Sequence, residues 1–367
     1  MGDYSRVVAE NLRNRRRALS LTQRELAERL GYSEKSVSKW ESGAGAPPSE
    51  LLPRLASVLE SSIDSLFASG EAYYLGVDGG GTKTDFLLED GDGRVLSRTR
   101  LSCSNPVDVG IDKTLSVLSD GIRKTLGEIS PSRVSVYAGI AGLTVGDFSA
   151  QTETYLRELG FSASGVGSDA TSAVAAGLGD RDGVAVILGT GTVAFLQRDG
   201  VQTRVGGYGY LLEQGLSGYA LGRDALTEAL KYEDGIGEAS LLHRLFSERL
   251  SSERIFPLIS RIYGEGKRGI ASLAPTVFEA IDRGDGIALS LVTHLLAETA
   301  ALIVSAHRLL GRDAPTVLVG GLTARRELLL PILSKMLPEP IASTLTVSER
   351  PPIEGALYLA RKGKTPC

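Results

Sequence analysis

The stretch G-V-D-G-G-G-T-K-T-D-F-L-L-E-D-G-D-G-R-V-L, residues 76–96, decides the fold of most of the chain. Apolar residues up to Asp78 predict a short strand, residues 79–82 predict a tight glycine-rich turn, and residues 83–89 predict a second strand that leads into an Asp-Gly hairpin. A Rossmann fingerprint does not fit, because these glycines lead into a strand rather than a helix. The P-loop pattern of phosphate-binding proteins is not found either.

The same pattern returns about 110 residues later, in V-I-L-G-T-G-T-V-A-F-L at residues 186–196, followed by Asp-Gly at 199–200. A strand, Gly/Thr turn, strand and hairpin found twice predict an internal duplication of two similar α/β lobes. Glycines let backbone N–H groups approach a phosphate closely, and Asp78 at a strand end is suited to hold Mg²⁺. The repeat therefore predicts two phosphate-binding turns with Mg²⁺ held at Asp78.

The first 68 residues have a different sequence pattern, which predicts a series of short helices. In L-T-Q-R-E-L-A-E-R-L-G-Y-S-E-K-S-V-S-K-W-E-S-G, residues 21–43, Thr22 and Glu25 form a capping-box pattern, Gly31 ends one helix and Ser33 caps the next. Two short helices joined by a glycine turn are typical of a helix-turn-helix. This stretch and the residues after it resemble the Cro/repressor-type (XRE) DNA-binding family. A helical protein-interaction module is the alternative.

The resemblance implies double-stranded operator DNA as a partner and a homodimer as the binding form, because one small domain makes a small interface. The second helix of such a domain enters the major groove, and other residues meet phosphates. The predicted base-reading positions are Glu34, Lys35, Ser38 and Lys39, and the predicted phosphate contacts are Arg16, Thr22 and Gln23.

The remainder of the chain resembles the BadF/BadG/BcrA/BcrD-type ATPases, the family that includes N-acetylglucosamine kinases. Besides the two repeats, the motifs in family order are S-C-S-N-P-V-D-V-G (102–110), Y-A-G-I-A-G-L (137–143), V-G-S-D-A-T-S-A-V-A-A-G (166–177), V-G-G-Y-G-Y-L-L-E-Q-G-L-S-G-Y-A-L-G-R-D-A-L (205–226), V-L-V-G-G-L (317–322) and R-P-P-I-E-G-A-L-Y-L-A (350–360). The expected architecture is multidomain: an all-α helix-turn-helix domain (1–68), a linker (69–73), and an α/β actin-like (sugar kinase/Hsp70/actin) ATPase fold with lobes 74–180 and 181–367.

The resemblance also implies site residues. Asp169 matches the general base of the kinases, and a carboxylate after a strand can take the proton of an attacking sugar hydroxyl; it could equally cap the following helix. The implied nucleotide residues are Asp78, Gly80, Gly81, Thr82, Lys83, Gly189, Thr190, Gly191, Thr192, Gly320 and Gly321, with Asp78 also the metal ligand, and the implied sugar contacts are Asn105, Tyr208, Glu213 and Gln214.

Residues 213–217, which we call the sugar edge, differ from the corresponding residues of N-acetylglucosamine kinases. Those kinases have Gly-Asp-Glu-Gly-Ser where this chain has Glu213-Gln214-Gly-Leu-Ser. In the ungapped alignment Gln214 replaces the sugar-binding aspartate, whereas a shift of one residue puts Glu213 there. Both alignments stay open. The departure weakens N-acetylglucosamine as the substrate more than it weakens phosphoryl transfer to a sugar or amino sugar.

Composition narrows the functional classes. The 367 residues include 42% hydrophobic and 23% charged side chains and carry a net charge of −4, which is ordinary for a globular protein and excludes one that coats nucleic acid throughout. Only Cys103 and Cys367 could ligate an iron–sulfur cluster, which disfavours an electron-activating ATPase. The sequence predicts a cytoplasmic transcription regulator with a kinase-like sensor domain and no membrane association. The alternative is an active ATP-dependent sugar kinase with an accessory DNA-binding head.

Overall fold

The structure, a computed structural model, describes residues 3–67, 73–212 and 214–363. The chain divides into two compact units, residues 1–176 with 352–367, and residues 177–351. The predicted linker 69–73 and the predicted sugar contact Glu213 lie outside the described residues, except for Tyr73.

The N-terminal residues fold into a helical domain, as the sequence predicts. Thr22 caps the second helix through a complete capping box with Glu25, and Gly31 ends it with a left-handed φ of 75°. Leu12, Leu26 and Leu55 are among the side chains of its small apolar core. The helices are α1 (Asp3–Ala18), α2 (Gln23–Leu30), α3 (Glu34–Glu41), α4 (Leu52–Val58) and α5 (Ile63–Phe67).

The rest of the first unit is built on a five-stranded mixed sheet with strand order β3-β2-β1-β4-β5. Its first three strands are antiparallel neighbours, and β1, β4 and β5 run parallel. The strands are β1 (Tyr73–Gly79), β2 (Lys83–Glu89), β3 (Val95–Ser102), β4 (Val134–Ile140) and β5 (Ala163–Gly167), and the helices are α6 (Pro106–Val109), α7 (Ile111–Leu126), α8 (Phe148–Glu158) and α9 (Asp169–Leu178).

The second unit repeats this sheet, with strand order β10-β9-β6-β7-β8 and the same alternation of antiparallel and parallel pairs. The predicted duplication is confirmed. The strands are β6 (Gly183–Leu188), β7 (Thr192–Arg198), β8 (Val201–Val205), β9 (Thr316–Val319) and β10 (Leu345–Val347), and the helices are α10 (Gly218–Glu233), α11 (Leu241–Leu250), α12 (Ile259–Gly264), α13 (Gly266–Ala271), α14 (Ala274–Asp282), α15 (Gly286–Leu310), α16 (Arg326–Met336) and α17 (Glu339–Ala342).

Among the described residues α15 is the one helix long and apolar enough to cross a membrane. Its residues Val292, Leu296 and Ile303 are fully buried in the core of the second unit. A buried core helix meets the same criterion of length and composition, so α15 gives only weak evidence for a membrane span.

The last helix, α18 (Pro352–Lys362), packs on the first sheet rather than with the lobe that begins at residue 181. Two glycines allow the backbones to approach closely, Gly76 where β1 meets α18 and Gly355 where α18 meets α9. A Cβ at Gly76 of β1 would lie 2.9 Å from Ile353 O, and one at Gly355 would lie 1.9 Å from Ser172 O. The structure therefore differs from the predicted boundaries: the chain returns to its first unit after residue 351.

Candidate functional site

The helix-turn-helix presents the predicted base-reading face to solvent. Glu34, Lys35, Ser38 and Lys39 are all exposed on α3, and Val37 and Trp40 on the opposite side are buried in the domain core. Ser33 caps the helix by accepting a hydrogen bond from Ser36 N. The exposed face of α3 is therefore polar and carries two lysines, and the opposite face packs on the domain core.

Arg16 differs from its predicted role as a phosphate contact. The residue is 9% exposed, and its guanidinium donates to Glu41 at 2.5 and 2.8 Å and to Leu21 O at 2.6 Å. Glu41 is 2% exposed and also accepts from Gln23 at 2.8 Å. Arg16 is occupied inside the domain because a buried carboxylate needs a charged, hydrogen-bonded partner. The side-chain amide of Gln23 serves the same carboxylate.

Burial alone would raise the pKa of Glu41, but hydrogen bonds from Arg16 and Gln23 and the charges of Arg16 and Arg13 outweigh it and hold that pKa below its usual range. The hydroxyl of Thr22, the third predicted phosphate contact, is exposed and bonded to Glu25 within the capping box. The network ties α1, α2 and α3 together.

Asp78 lies in a row of residues that runs across the first sheet. The strand register places it opposite Asp85 of β2 on one side and Gly139 of β4 on the other, and Arg100 of β3 follows Asp85. Asp85 accepts from Arg100 at 2.5 Å and pairs with Lys83 Nζ at 2.9 Å. The predicted phosphate-binding Lys83 is thus held by a neighbouring carboxylate that the sequence analysis did not single out.

The environment of Asp78 disfavours its charged form. Its pKa is raised to about 7, mostly by burial and further by the carboxylates of Asp169 and Asp85, while Lys83 opposes the shift. Asp78 is a half-buried carboxylate with two acidic neighbours and one ammonium group nearby, so the local negative charge is not balanced. Such a group is suited to a divalent cation.

Asp169 follows β5 and opens α9, at the same edge of the sheet where β1 ends, because these strands are parallel. It is exposed, and its Oδ1 accepts a hydrogen bond from Ala170 N at 3.0 Å. The capping of α9 falls instead to Ser168, whose hydroxyl accepts from Thr171 N at 3.2 Å. The capping role that was the alternative interpretation of Asp169 therefore belongs to Ser168.

Asn105 stands at the start of α6, half-buried. Its Oδ1 accepts from Val107 N at 3.0 Å and its amide donates to Asp108 at 2.9 Å. Gly142, with φ of 82°, lies against it so closely that a Cβ there would be 2.2 Å from Asn105 Oδ1. Because Gly142 has no side chain, the motif A-G-I-A-G-L leaves room for Asn105.

The second unit carries the other predicted phosphate turn. Gly189 N donates to Gly191 O at 3.0 Å, which closes the turn, and Thr190 is exposed. Thr192 departs from its predicted role, because its buried hydroxyl donates its single proton to Leu216 O at 2.5 Å. Thr192 therefore joins this turn to the segment at residues 205–217, which we call the sugar loop.

Within the sugar loop, the predicted contacts Tyr208 and Gln214 are both exposed, and Tyr208 lies under the guanidinium of Arg204 at 5.7 Å. Two residues of α15 that the sequence analysis missed hold the end of this loop: Glu298 accepts from Gly215 N and Thr299 from Leu216 N, each at 2.8 Å. No local motif could have indicated contacts between residues 83 positions apart.

Two glycines of the predicted nucleotide residues have open space beside their backbone, as the approach of a phosphate requires. A Cβ at Gly80 would come no nearer than 3.5 Å to a protein atom, and one at Gly321 would meet none within 4 Å, so bare backbone faces open space there. Gly81, Thr82 and Gly320 complete the two turns. The described residues contain no group of three His, Cys, Asp or Glu side chains that could hold a metal. Mg²⁺ usually binds one or two carboxylates plus substrate phosphates, and Asp78 suits that arrangement.

A helix-turn-helix followed by two duplicated α/β lobes with paired glycine turns defines a regulator-type domain joined to a sugar kinase fold of the actin-like class. The chain belongs to the BadF/BadG/BcrA/BcrD ATPase family, whose model matches residues 75–360. A helix-turn-helix family model matches residues 12–66.

Known proteins resemble each part. N-acetyl-D-glucosamine kinase of Dictyostelium discoideum is 31% identical over 314 residues, which cover 79% of this chain and 98% of that protein. The cryptic phage CTXphi transcriptional repressor RstR of Vibrio cholerae is 44% identical over 59 residues, 16% of this chain and 53% of the repressor. A Chromobacterium violaceum crystal structure, named as a candidate N-acetylglucosamine kinase, superimposes with a TM-score of 0.65 at 25% identity over 79% of this chain and 99% of that one.

Proposed function

We propose that the protein is a cytoplasmic, DNA-binding transcription regulator whose C-terminal domain binds Mg-ATP and a sugar or amino sugar. The observation that carries the proposal is the pair of carboxylates, Asp78 and Asp169, at one edge of the first sheet, in a chain that also presents the lysine face of α3 to solvent. A homodimer on a two-fold operator is part of the proposal, since one such domain contacts little DNA.

In the C-terminal domain, a bound nucleotide would supply the γ-phosphoryl group, and Mg²⁺ would neutralise charge on its phosphates. Asp78 would hold the metal, and the glycine turns at residues 79–82 and 189–192 are each a candidate phosphate contact. Lys83, which Asp85 positions, adds a positive charge beside them. Asn105 in the first unit and the sugar loop in the second are each candidate sugar contacts, and in a domain that turns over Asp169 would accept the proton of the attacking hydroxyl.

The second candidate function is an active sugar kinase with an accessory DNA-binding head. The position of Asp169 favours it, because Ser168 caps α9 and the exposed Asp169 lies at the edge of the sheet where β1 ends with Asp78. Sugar-dependent release of ADP separates the two functions. A sensor binds the same ligands without turnover.

The DNA part of the proposal is tested on α3. We expect Lys39→Ala to cost about 1–3 kcal/mol on a specific site selected from genomic fragments and much less on random duplex, because a base-edge contact discriminates between sequences. Fluorescence titrations on both duplexes measure this. Equal affinity of variant and wild type for both duplexes would exclude Lys39 from the interface.

Arg16→Ala provides the comparison with Lys39→Ala, because we expect it to change the stability of the domain. It leaves Glu41 buried without its main partner, and breaking such a pair typically costs about 3–5 kcal/mol of stability. Denaturant unfolding of the DNA-binding domain should therefore reveal the loss. A variant that unfolds at the wild-type midpoint but binds all DNA more weakly would restore the phosphate role predicted from the sequence.

A further inference from the structure

Helix α15 holds the end of the sugar loop with two consecutive side chains. Glu298 Oε2 accepts from Gly215 N, and Thr299 Oγ1 accepts from Leu216 N, both at 2.8 Å. The hydroxyl of Thr299 also donates to Leu295 O at 2.9 Å, so its capacity is used inside the protein. Thr192 anchors the same loop residue from the other side through Leu216 O. The loop end is fixed beside Gln214.

The charge of Glu298 exceeds what this anchoring requires. One backbone N–H needs only a neutral acceptor, which is what the neighbouring Thr299 supplies one residue later. A glutamine at position 298 would offer the same oxygen. The carboxylate is therefore available for a task other than holding Gly215.

The surroundings leave the carboxylate accessible and without a close arginine or lysine partner among the described residues. The Glu298 side chain is 37% exposed, and His294, one helical turn earlier, lies 3.9 Å from Oε1. Arg223, whose pKa Glu298 helps to raise, is itself paired with Asp224 at 2.7 Å. The Glu298 side chain is thus partly exposed, and the backbone N–H that it holds belongs to Gly215, the residue after the exposed Gln214.

We propose that Glu298 is the specificity-determining carboxylate of the sugar edge, taking the place of the aspartate that position 214 lacks in the ungapped alignment. It would accept hydrogen bonds from sugar hydroxyl groups through Oε1 while Oε2 keeps the loop end in place. The inference rests on the proposed function, since it assigns a residue to its sugar. The ligand class is a hexose or hexosamine with free ring hydroxyl groups.

The test uses the full chain and three probes: glucosamine, N-acetylglucosamine and N-acetylmuramic acid. Calorimetry gives the Kd of each probe that stabilises the wild type, and Glu298→Gln is compared with Glu279→Gln, a control that removes the charge of another surface carboxylate of the same unit. We expect Glu298→Gln to weaken sugar binding by about tenfold or more, because hydrogen bonds to charged groups are the stronger ones. The affinity for a Mg-bound non-hydrolysable ATP analogue and the unliganded melting temperature should stay unchanged.

A second variant makes the result specific. Gln214→Asp added to Glu298→Gln should regain most of the lost sugar affinity, because the carboxylate returns from the adjacent position. Wild-type sugar affinity in Glu298→Gln would overturn the inference, and so would a loss of sugar and nucleotide binding together with a lower melting temperature, which indicates a structural role. If the wild type binds none of the probes, the sugar part of the proposed function fails and the inference falls with it.

Discussion

Asp169→Asn is expected to lower sugar-dependent ADP release by about 10²–10⁴-fold, the usual effect of removing a general base, while sugar and Mg-ATP still bind. The structure explains why the fold should survive. Ser168 caps α9, and the bond from Ala170 N to Asp169 Oδ1 can be kept by the amide oxygen of asparagine. Coupled ADP assays and calorimetry on the same preparation separate turnover from binding.

Ser168→Ala provides the matched control. It removes the cap of α9 and should lower stability by about 1 kcal/mol with turnover close to that of the wild type. An Asp169→Asn variant as active as an active wild type would show that the base is another residue. A wild type that releases no ADP with any sugar that raises its melting temperature would identify the domain as a sensor.

Asp78→Asn is expected to abolish Mg-dependent nucleotide binding and, without ligands, to make the protein more stable at pH 8. The pKa of Asp78 is raised to about 7 in the folded state, above the ordinary aspartate value of 3.8 that applies when the chain is unfolded. Ionised Asp78 therefore opposes folding, fully above pH 7, partly between pH 4 and 7, and not at all when both states are protonated. By linkage the cost at pH 8 is at most about 4 kcal/mol.

The measurement is the difference in melting temperature between Asp78→Asn and wild type across pH 4 to 8, with nucleotide calorimetry at pH 8. Asp120→Asn, which removes an exposed carboxylate of α7, is the control and should change neither quantity. A variant that keeps Mg-dependent affinity would exclude Asp78 as the metal ligand. A pH-independent difference in stability would contradict the electrostatic origin.

Sequence patterns predicted those helices and strands whose formation depends on residues close together in the chain. The start of α3 followed from the Ser33 cap, and the two strand–turn–strand repeats predicted the pairs β1–β2 and β6–β7. These features depend on neighbouring residues, which sequence reading captures.

Contacts between distant residues were not predictable in this way. Arg16 looked like one of several surface arginines because its partner Glu41 lies on another helix. Thr192 looked like a phosphate donor because its acceptor, Leu216 O, lies 24 residues away. Glu298 carried no signal within its own apolar helix. Tertiary pairing decides which polar side chains are left for ligands, and the sequence does not show that pairing.

The most direct test of the account is the DNA affinity of the full chain with and without sugar and a Mg-bound ATP analogue. DNA fragments selected from the genome serve as the specific site, and ligands are used at saturation. We expect a change in Kd of about 5–150-fold, the range typical of coupled sites, because a regulator must bind its ligands with different affinities in its DNA-bound and free states. The same Kd for the selected DNA with and without ligands would contradict it.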